Sequence, residues 1–293
     1  MKPRIAITEG DPAGIGPEIA AKAARDPRVL AVCEPVIYHA TPGSPIPIGQ
    51  VSPQAGRAAF EAIVRAVEDA RQGVVQGIAT APVNKAAFAA AGLGWKGHTD
   101  LLAHLCAVSE VAMMFHSPKL RVVLATVHVA LRDVPRLITR DLILDTLRLT
   151  AQELPYFGVE HPRLAVAGLN PHAGEGGLMG NEEVEVMIPA VREAQHEGLR
   201  VEGPLPADTV FVRAARGEFD CVLACYHDQG LVPVKLLSFG AAVNVTLGLP
   251  IVRTSPDHGT AFDIAGRGVA DHGSLVEAIR LAAELAGRME PRR

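Results

Sequence analysis

Short, continuous apolar runs alternate with stretches of helical periodicity along most of the chain. RIAIT (4–8), VIY (36–38), GIATAPV (77–83), RVVLATV (121–127), RLAVAGL (163–169), DCVLACY (220–226) and AVNVTL (242–247) predict strands. Most are unbroken rather than alternating, as expected of a sheet covered on both faces. The clearest helix spans 53–72, where Pro53 can open it and Phe60, Ile63, Val64 and Val67 recur at helical spacing. Others are expected near 17–25, 99–107, 139–153, 181–197 and 274–288. Strand–helix alternation of this kind predicts an α/β protein with a mostly parallel sheet. HATPGSPIPIGQ (39–50) is a Pro/Gly-rich interlude and predicts an exposed connection.

Ligands of such folds collect at the carboxyl ends of the strands. The residues that follow each apolar run are therefore the candidates for chemistry. After RIAIT comes EGDPAGIGPEIA, a tight glycine loop opening a helix, which suits either an anion at the helix start or a plain strand-to-helix turn. Of the eleven histidines, His98, His128, His172, His227 and His258 sit in or beside loops after apolar runs. One such histidine is ordinarily a satisfied structural residue, but a common sheet edge would gather several. Neutral imidazoles are common ligands for zinc and related ions. Spacing alone does not select which three of the five bind, since no H-E-x-x-H pair fixes a geometry.

His172 lies in the glycine-rich LNPHAGEGGLMGNEE, a frame that suggests close backbone approach to a ligand. Lys235, Asn244 and Arg253 form a cationic and amide set suited to a carboxylate or phosphate. Taken singly, each is better read as a solvated charge or a salt-bridge partner. GLGWKG (92–97) matches the dinucleotide pattern G-x-G-x-x-G but follows an Ala-rich helical stretch instead of a strand, so it is a chance match.

Composition narrows the class. At 293 residues, 48% hydrophobic and 20% charged, the chain has the make-up of an ordinary globular protein long enough for two lobes. A net charge of −4 and a pI near 6.3 argue against a nucleic-acid surface, and the only short basic run is the tail Pro291-Arg292-Arg293. Cys33, Cys106, Cys221 and Cys225 lie in apolar surroundings without a C-x-x-C pair and read as small hydrophobes. No stretch approaches a signal peptide or membrane span, which makes the cytoplasm the expected location.

Taken together, ITEGDPAGIGPEI, APVNKAAFAAAG, GHTDLLA, LNPHAGEGGLMGNEE, YHDQGLVPVK and VNVTLGLPIVRTSPDHGTAFDIAGRG resemble the 4-hydroxythreonine-4-phosphate dehydrogenase family of pyridoxal phosphate biosynthesis. The resemblance runs from about residue 4 to 285. It implies NAD-dependent (or NADP-dependent) oxidation of a phosphorylated secondary alcohol, with oxidative decarboxylation, aided by a divalent metal such as Zn, Mg, Co or Mn. It implies a two-lobed α/β/α fold like isocitrate and isopropylmalate dehydrogenases, with the active site in the inter-lobe cleft. Residues 1–97 plus 254–293 would form the cofactor-side lobe, and 98–253 the metal and dimer side. It further implies a homodimer with residues of both subunits at each site.

By motif, His128, His172 and His227 would ligate metal; His98, Thr99, Lys235, Asn244 and Arg253 would contact substrate. Lys235 or Asp257 would accept the alcohol proton. No residues are assigned to the nicotinamide. The chain departs from the family at HVAL (128–131), where Ala130 replaces a usual proline, at Asp100, where Glu is common, and in a shorter 39–50 stretch. DQGLVPVK and APVNKA resemble a branch acting on threonate or erythronate 4-phosphate, and a further branch oxidises a terephthalate-type cis-dihydrodiol. The rival enzyme class is a metal-dependent hydrolase; a non-enzymatic metal or ligand sensor is the third reading.

Overall fold

The computed structural model describes residues 1–288, so the Pro291-Arg292-Arg293 tail lies outside the described residues. The strands in chain order are β1 (Arg4–Thr8), β2 (Glu34–Tyr38), β3 (Gly77–Thr80), β4 (Ala112–His116), β5 (Arg121–Leu124), β6 (Arg163–Ala167), β7 (Arg200–Leu205), β8 (Cys221–Ala224), β9 (Val243–Leu247) and β10 (Arg253–Ser255). The chain divides into two compact units, one of Met1–Val111 with the segment from Val243 onward, the other of Ala112–Ala242.

In the first unit the strands lie in the order β2-β1-β3-β10-β9. All neighbours are parallel except β10 with β9. The interior strand β3 is buried throughout, which explains its unbroken apolar run. The helix Pro53–Arg71 is started by Ser52, whose hydroxyl accepts the Ala55 N–H at 3.3 Å, with proline in the first turn. Its buried face is mostly alanine with Ile63 and Val67, and it packs with Phe88, Leu101 and Leu102 in one core. At Gly56 the packing is tightest: a Cβ there would stand 2.2 Å from the Ala87 carbonyl oxygen, so only glycine admits the helix Lys85–Ala90 at this distance.

Because Leu101 and Leu102 of the helix His98–Cys106 are in this core, that helix belongs to the first unit, as do β9 and β10 through pairing. The boundaries fall at 111/112 and 242/243, where the sequence suggested 97/98 and 253/254. The glycines of EGDPAGIGPE are explained within the chain. Gly10 has φ +65°, with its virtual Cβ 2.2 Å from the Pro82 carbonyl oxygen, and a Cβ at Gly16 would meet the Glu9 carbonyl oxygen at 1.8 Å.

In the second unit the order is β4-β5-β8-β6-β7, with β4–β5 antiparallel and the other pairs parallel. Its core gathers Val122, Leu124, Ala165, Val222, Leu231 and Val234. The helix His227–Ser238 packs on β5 at Gly230, where a Cβ would lie 2.7 Å from Leu124. All four cysteines are buried and free, and burial pushes the Cys221 and Cys225 thiols up to about 12. Among the described residues, no helix is long and apolar enough to cross a membrane.

Candidate active site

Three of the five strand-end histidines follow three adjacent strands of the second unit. β5, β8 and β6 run parallel, so their carboxyl ends leave the sheet on one edge. The segments beyond them carry His128, His227 and His172 in turn. Thr126 joins the first two of these segments: its N–H and its hydroxyl both donate to the Cys225 carbonyl, at 3.2 and 2.8 Å. The His128 and His227 rings stand with centroids 5.6 Å apart and planes tilted by 40°. His227 Nδ1 lies 2.7 Å from Asp228 Oδ1. A carboxylate there favours the proton on Nδ1 and leaves Nε2 as a lone-pair donor.

His172 is placed differently. Residues 172–176 form a left-handed turn with φ of 54°, 52°, 79°, 43° and 67°. Such backbone costs roughly 1–2 kcal/mol at each non-glycine residue, and His172, Ala173 and Glu175 all bear it. A buried carboxylate holds the loop. Glu183, wholly inaccessible, accepts the Asn170 N–H at 2.7 Å and its Nδ2 at 2.9 Å, while Glu182 accepts Nδ2 at 2.7 Å. Gly174 and Gly180 are needed for this packing, since their Cβ atoms would lie 2.7 Å from Glu183 Oε2 and 2.5 Å from Asn170 Nδ2. Much of the glycine content around His172 thus serves contacts within the chain. The His172 side chain itself is exposed. Among the described residues no group of three or more His, Cys, Asp or Glu side chains stands close enough together to hold a metal ion. The single chain therefore offers a pair of imidazoles, with His172 on a neighbouring rigid turn.

A second constellation belongs to the first unit. Arg253, on β10, is 3% exposed. Its guanidinium donates to Thr246 Oγ1 at 3.0 Å and Thr80 Oγ1 at 2.8 Å, and its Nε is sealed from water without a partner. Burial pushes the guanidinium down to about 9. Nearby in the sheet are further sealed, partnerless polar atoms: Thr8 Oγ1 at the end of β1, which pairs with Thr80, and Asn244 Oδ1 on β9, which pairs with Ser255 of β10. His98 opens the helix His98–Cys106, and its Nε2 is also sealed and unpartnered. Burial, then the Arg253 charge, holds this imidazole neutral. A buried cation bonded only to hydroxyls, among orphaned polar atoms, is costly unless an anion completes it.

The remaining candidates lie on separate elements. Thr99 follows His98 and is half-buried, whereas Lys235 lies half-buried within the helix His227–Ser238. Asp257 is half-buried and its N–H donates to Ser274 Oγ at 3.4 Å; His258 is exposed. The sequence pattern does not single out Thr80, Thr246, Asn170 or Glu183. A threonine inside the apolar run GIATAPV was the available signal for Thr80.

Residues 13–282 match the family described as pyridoxal phosphate biosynthetic protein PdxA. The chain is 45% identical to a 4-hydroxythreonine-4-phosphate dehydrogenase of Beijerinckia indica subsp. indica, covering 96% of this chain and 94% of that one. It is also 45% identical to the D-threonate 4-phosphate dehydrogenase of Cupriavidus necator, with 98% of each covered. The crystal structure of 4-hydroxythreonine-4-phosphate dehydrogenase from Klebsiella pneumoniae superposes with a TM-score of 0.89 at 40% identity, covering 98% of both chains. At the level of fold alone, isocitrate dehydrogenase from Methylococcus capsulatus is similar, with a TM-score of 0.53 at 14% identity over 98% of this chain and 85% of that one. With its family match running nearly end to end, this chain belongs to the PdxA family of pyridoxal phosphate biosynthetic proteins.

Proposed function

We propose that this chain is a nicotinamide- and divalent-metal-dependent dehydrogenase. Its substrate is a 4-phosphorylated hydroxy acid of the kind named for its relatives, 4-hydroxythreonine 4-phosphate or D-threonate 4-phosphate. The observation on this chain that carries the substrate class is Arg253, a buried cation whose hydrogen bonds go to two threonine hydroxyls. A phosphate would supply the missing negative charge and accept the idle Nε–H. His98, Thr99 and Asn244 would complete the grip, with the neutral His98 ring free to donate or accept at its sealed Nε2.

The donor chemistry of the His128–His227 pair fits a divalent ion, and Asp228 presets the His227 tautomer. His172 would supply a third imidazole, from the same or a second copy. Bound there, the ion would polarise the reacting hydroxyl while NAD or NADP takes the hydride. Lys235 or Asp257 would receive the hydroxyl proton. A product with its new carbonyl β to a carboxylate then loses carbon dioxide.

A homodimer in the cytoplasm completes the reading. Its support is a set of large apolar side chains left exposed on this unit, Leu131, Leu178 (83%), Leu236 (81%) and Phe239 (86%), which a second copy would cover.

The test is absorbance at 340 nm with NAD or NADP, a divalent ion, and a panel of phosphorylated 4-hydroxythreonine, threonate and erythronate together with a terephthalate-type diol. Reduction that needs a phosphorylated member and stops on chelation is the expected result. Hydrolysis without reduction would instead establish the metal-hydrolase class.

A further inference from the structure

One side chain outside the assigned set joins two of the histidine-bearing loops. Gln229 is the third residue of the helix His227–Ser238, whose N-cap, Tyr226, provides no side-chain cap. The Gln229 Oε1 accepts the Cys225 N–H at 2.6 Å, and its Nε2 donates to the Gly168 carbonyl at 2.7 Å. The amide orientation follows from its partners, since an N–H faces the oxygen and a carbonyl faces the nitrogen.

These two partners sit at the roots of the site. Cys225 precedes Tyr226-His227 directly. Gly168 is the first residue after β6, and its virtual Cβ would lie 2.8 Å from the Ala173 Cα. Gly168 is thus pressed against the left-handed turn at the residue next to His172. The Cys225 carbonyl is the atom to which Thr126 donates twice, two residues before His128. A chain of hydrogen bonds, Gly168–Gln229–Cys225–Thr126, therefore ties together the segments bearing all three imidazoles.

Only a primary amide of this length does both jobs at once. Glutamate at the third helical position can still reach back to an N–H, as in a capping box, but its second oxygen would face the Gly168 carbonyl without a proton to give. Asparagine is one methylene short.

We propose that Gln229 is a positioning residue, a clamp that sets the His172 turn against the His227 helix start and so tunes divalent-ion affinity. The proposal rests on the metal-dependent reading above, whichever copy His172 serves. Second-sphere substitutions of this type typically lower metal affinity about 10- to 100-fold.

The experiment compares metal-stripped full-length wild type, Q229E and H172A at pH 8. Co(II) is titrated in by visible absorption, affinity is set by competition with a chelator, and thermal unfolding of the stripped proteins is followed alongside. Q229E keeps an acceptor for the Cys225 N–H, so its unfolding temperature should stay within about 3 °C of wild type, while its Co(II) affinity falls about 10- to 100-fold and its spectrum shifts. Should Q229E not fold, Q229M, close in shape without donor or acceptor, is titrated in its place with the same expectation.

Wild-type affinity and spectrum in the clamp variant would overturn the proposal. If H172A still weakens binding in that case, the metal reading survives alone. A wild type that binds no stoichiometric Co(II) removes both.

Discussion

Replacing Arg253 with methionine should separate function from stability by moving them in opposite directions. The guanidinium is 3% exposed, and burial pushes it from the ordinary arginine range down to about 9. At 1.36 kcal/mol per tenfold, that drop corresponds to about 5 kcal/mol of burial cost in the ligand-free protein. R253M removes the charge while filling most of its volume, and the Thr80 and Thr246 hydroxyls each lose one donor. By analogy with buried ions exchanged for apolar residues, the ligand-free variant should be unchanged or more stable by about 1–4 kcal/mol.

The sign with pH is fixed by linkage. Arg253 has a lower pKa folded than unfolded, so the unfolded chain binds more protons from about 9 up to the ordinary arginine range. Wild-type stability should thus gain on R253M as pH rises above about 9, with a constant deficit below it. Against this, loss of the charged Nε–H bond to phosphate, at about 1.5–3 kcal/mol, should lower kcat/KM by about 10- to 10²-fold.

Thermal shift with and without inorganic phosphate gives an independent readout: phosphate should stabilise wild type but not R253M. An R253M enzyme with wild-type KM for the phosphorylated substrate would refute the reasoning. A marked fall in its ligand-free unfolding temperature would do the same.

Other outcomes follow from the same geometry. H227A should abolish divalent-ion retention after desalting, read by elemental analysis, and reduce turnover by at least about 10²-fold, since it breaks the imidazole pair. G174A places a Cβ at φ +79° and 2.7 Å from Glu183 Oε2, and should destabilise by about 2 kcal/mol or more, lowering the unfolding temperature by several degrees. G56A should cost a similar amount, since its Cβ would stand 2.2 Å from the Ala87 carbonyl oxygen and force two helices apart, but leave the metal affinity of the surviving folded protein intact.

Several features of the site were legible because they depend on local order. A histidine immediately after a buried strand emerges at a carboxyl edge wherever the sheet goes, and β5, β8 and β6 made that true of His128, His227 and His172 together. The strands that pattern reading missed are β4, β7 and β10. β10 is three residues long, and its strand character comes from pairing with β3 and β9. The helix His227–Ser238 was hidden by Gly230 and the internal Pro233. It forms because Gly230 admits β5 and Gln229 ties the helix start to the Cys225 N–H and the Gly168 carbonyl, both tertiary circumstances.

The amino-acid sequence alone determined the α/β class, the apolar strands and the identity of the imidazoles and cations, because periodicity and strand-end position are encoded within a few residues. The tertiary structure decided which of those groups are buried and what surrounds them. Arg253 reads in sequence as an ordinary charge, yet it is sealed against Thr80, 173 positions away. Its environment is set by long-range pairing of β10 with β3, and the energy of a buried charge depends on that environment more than on the residue itself.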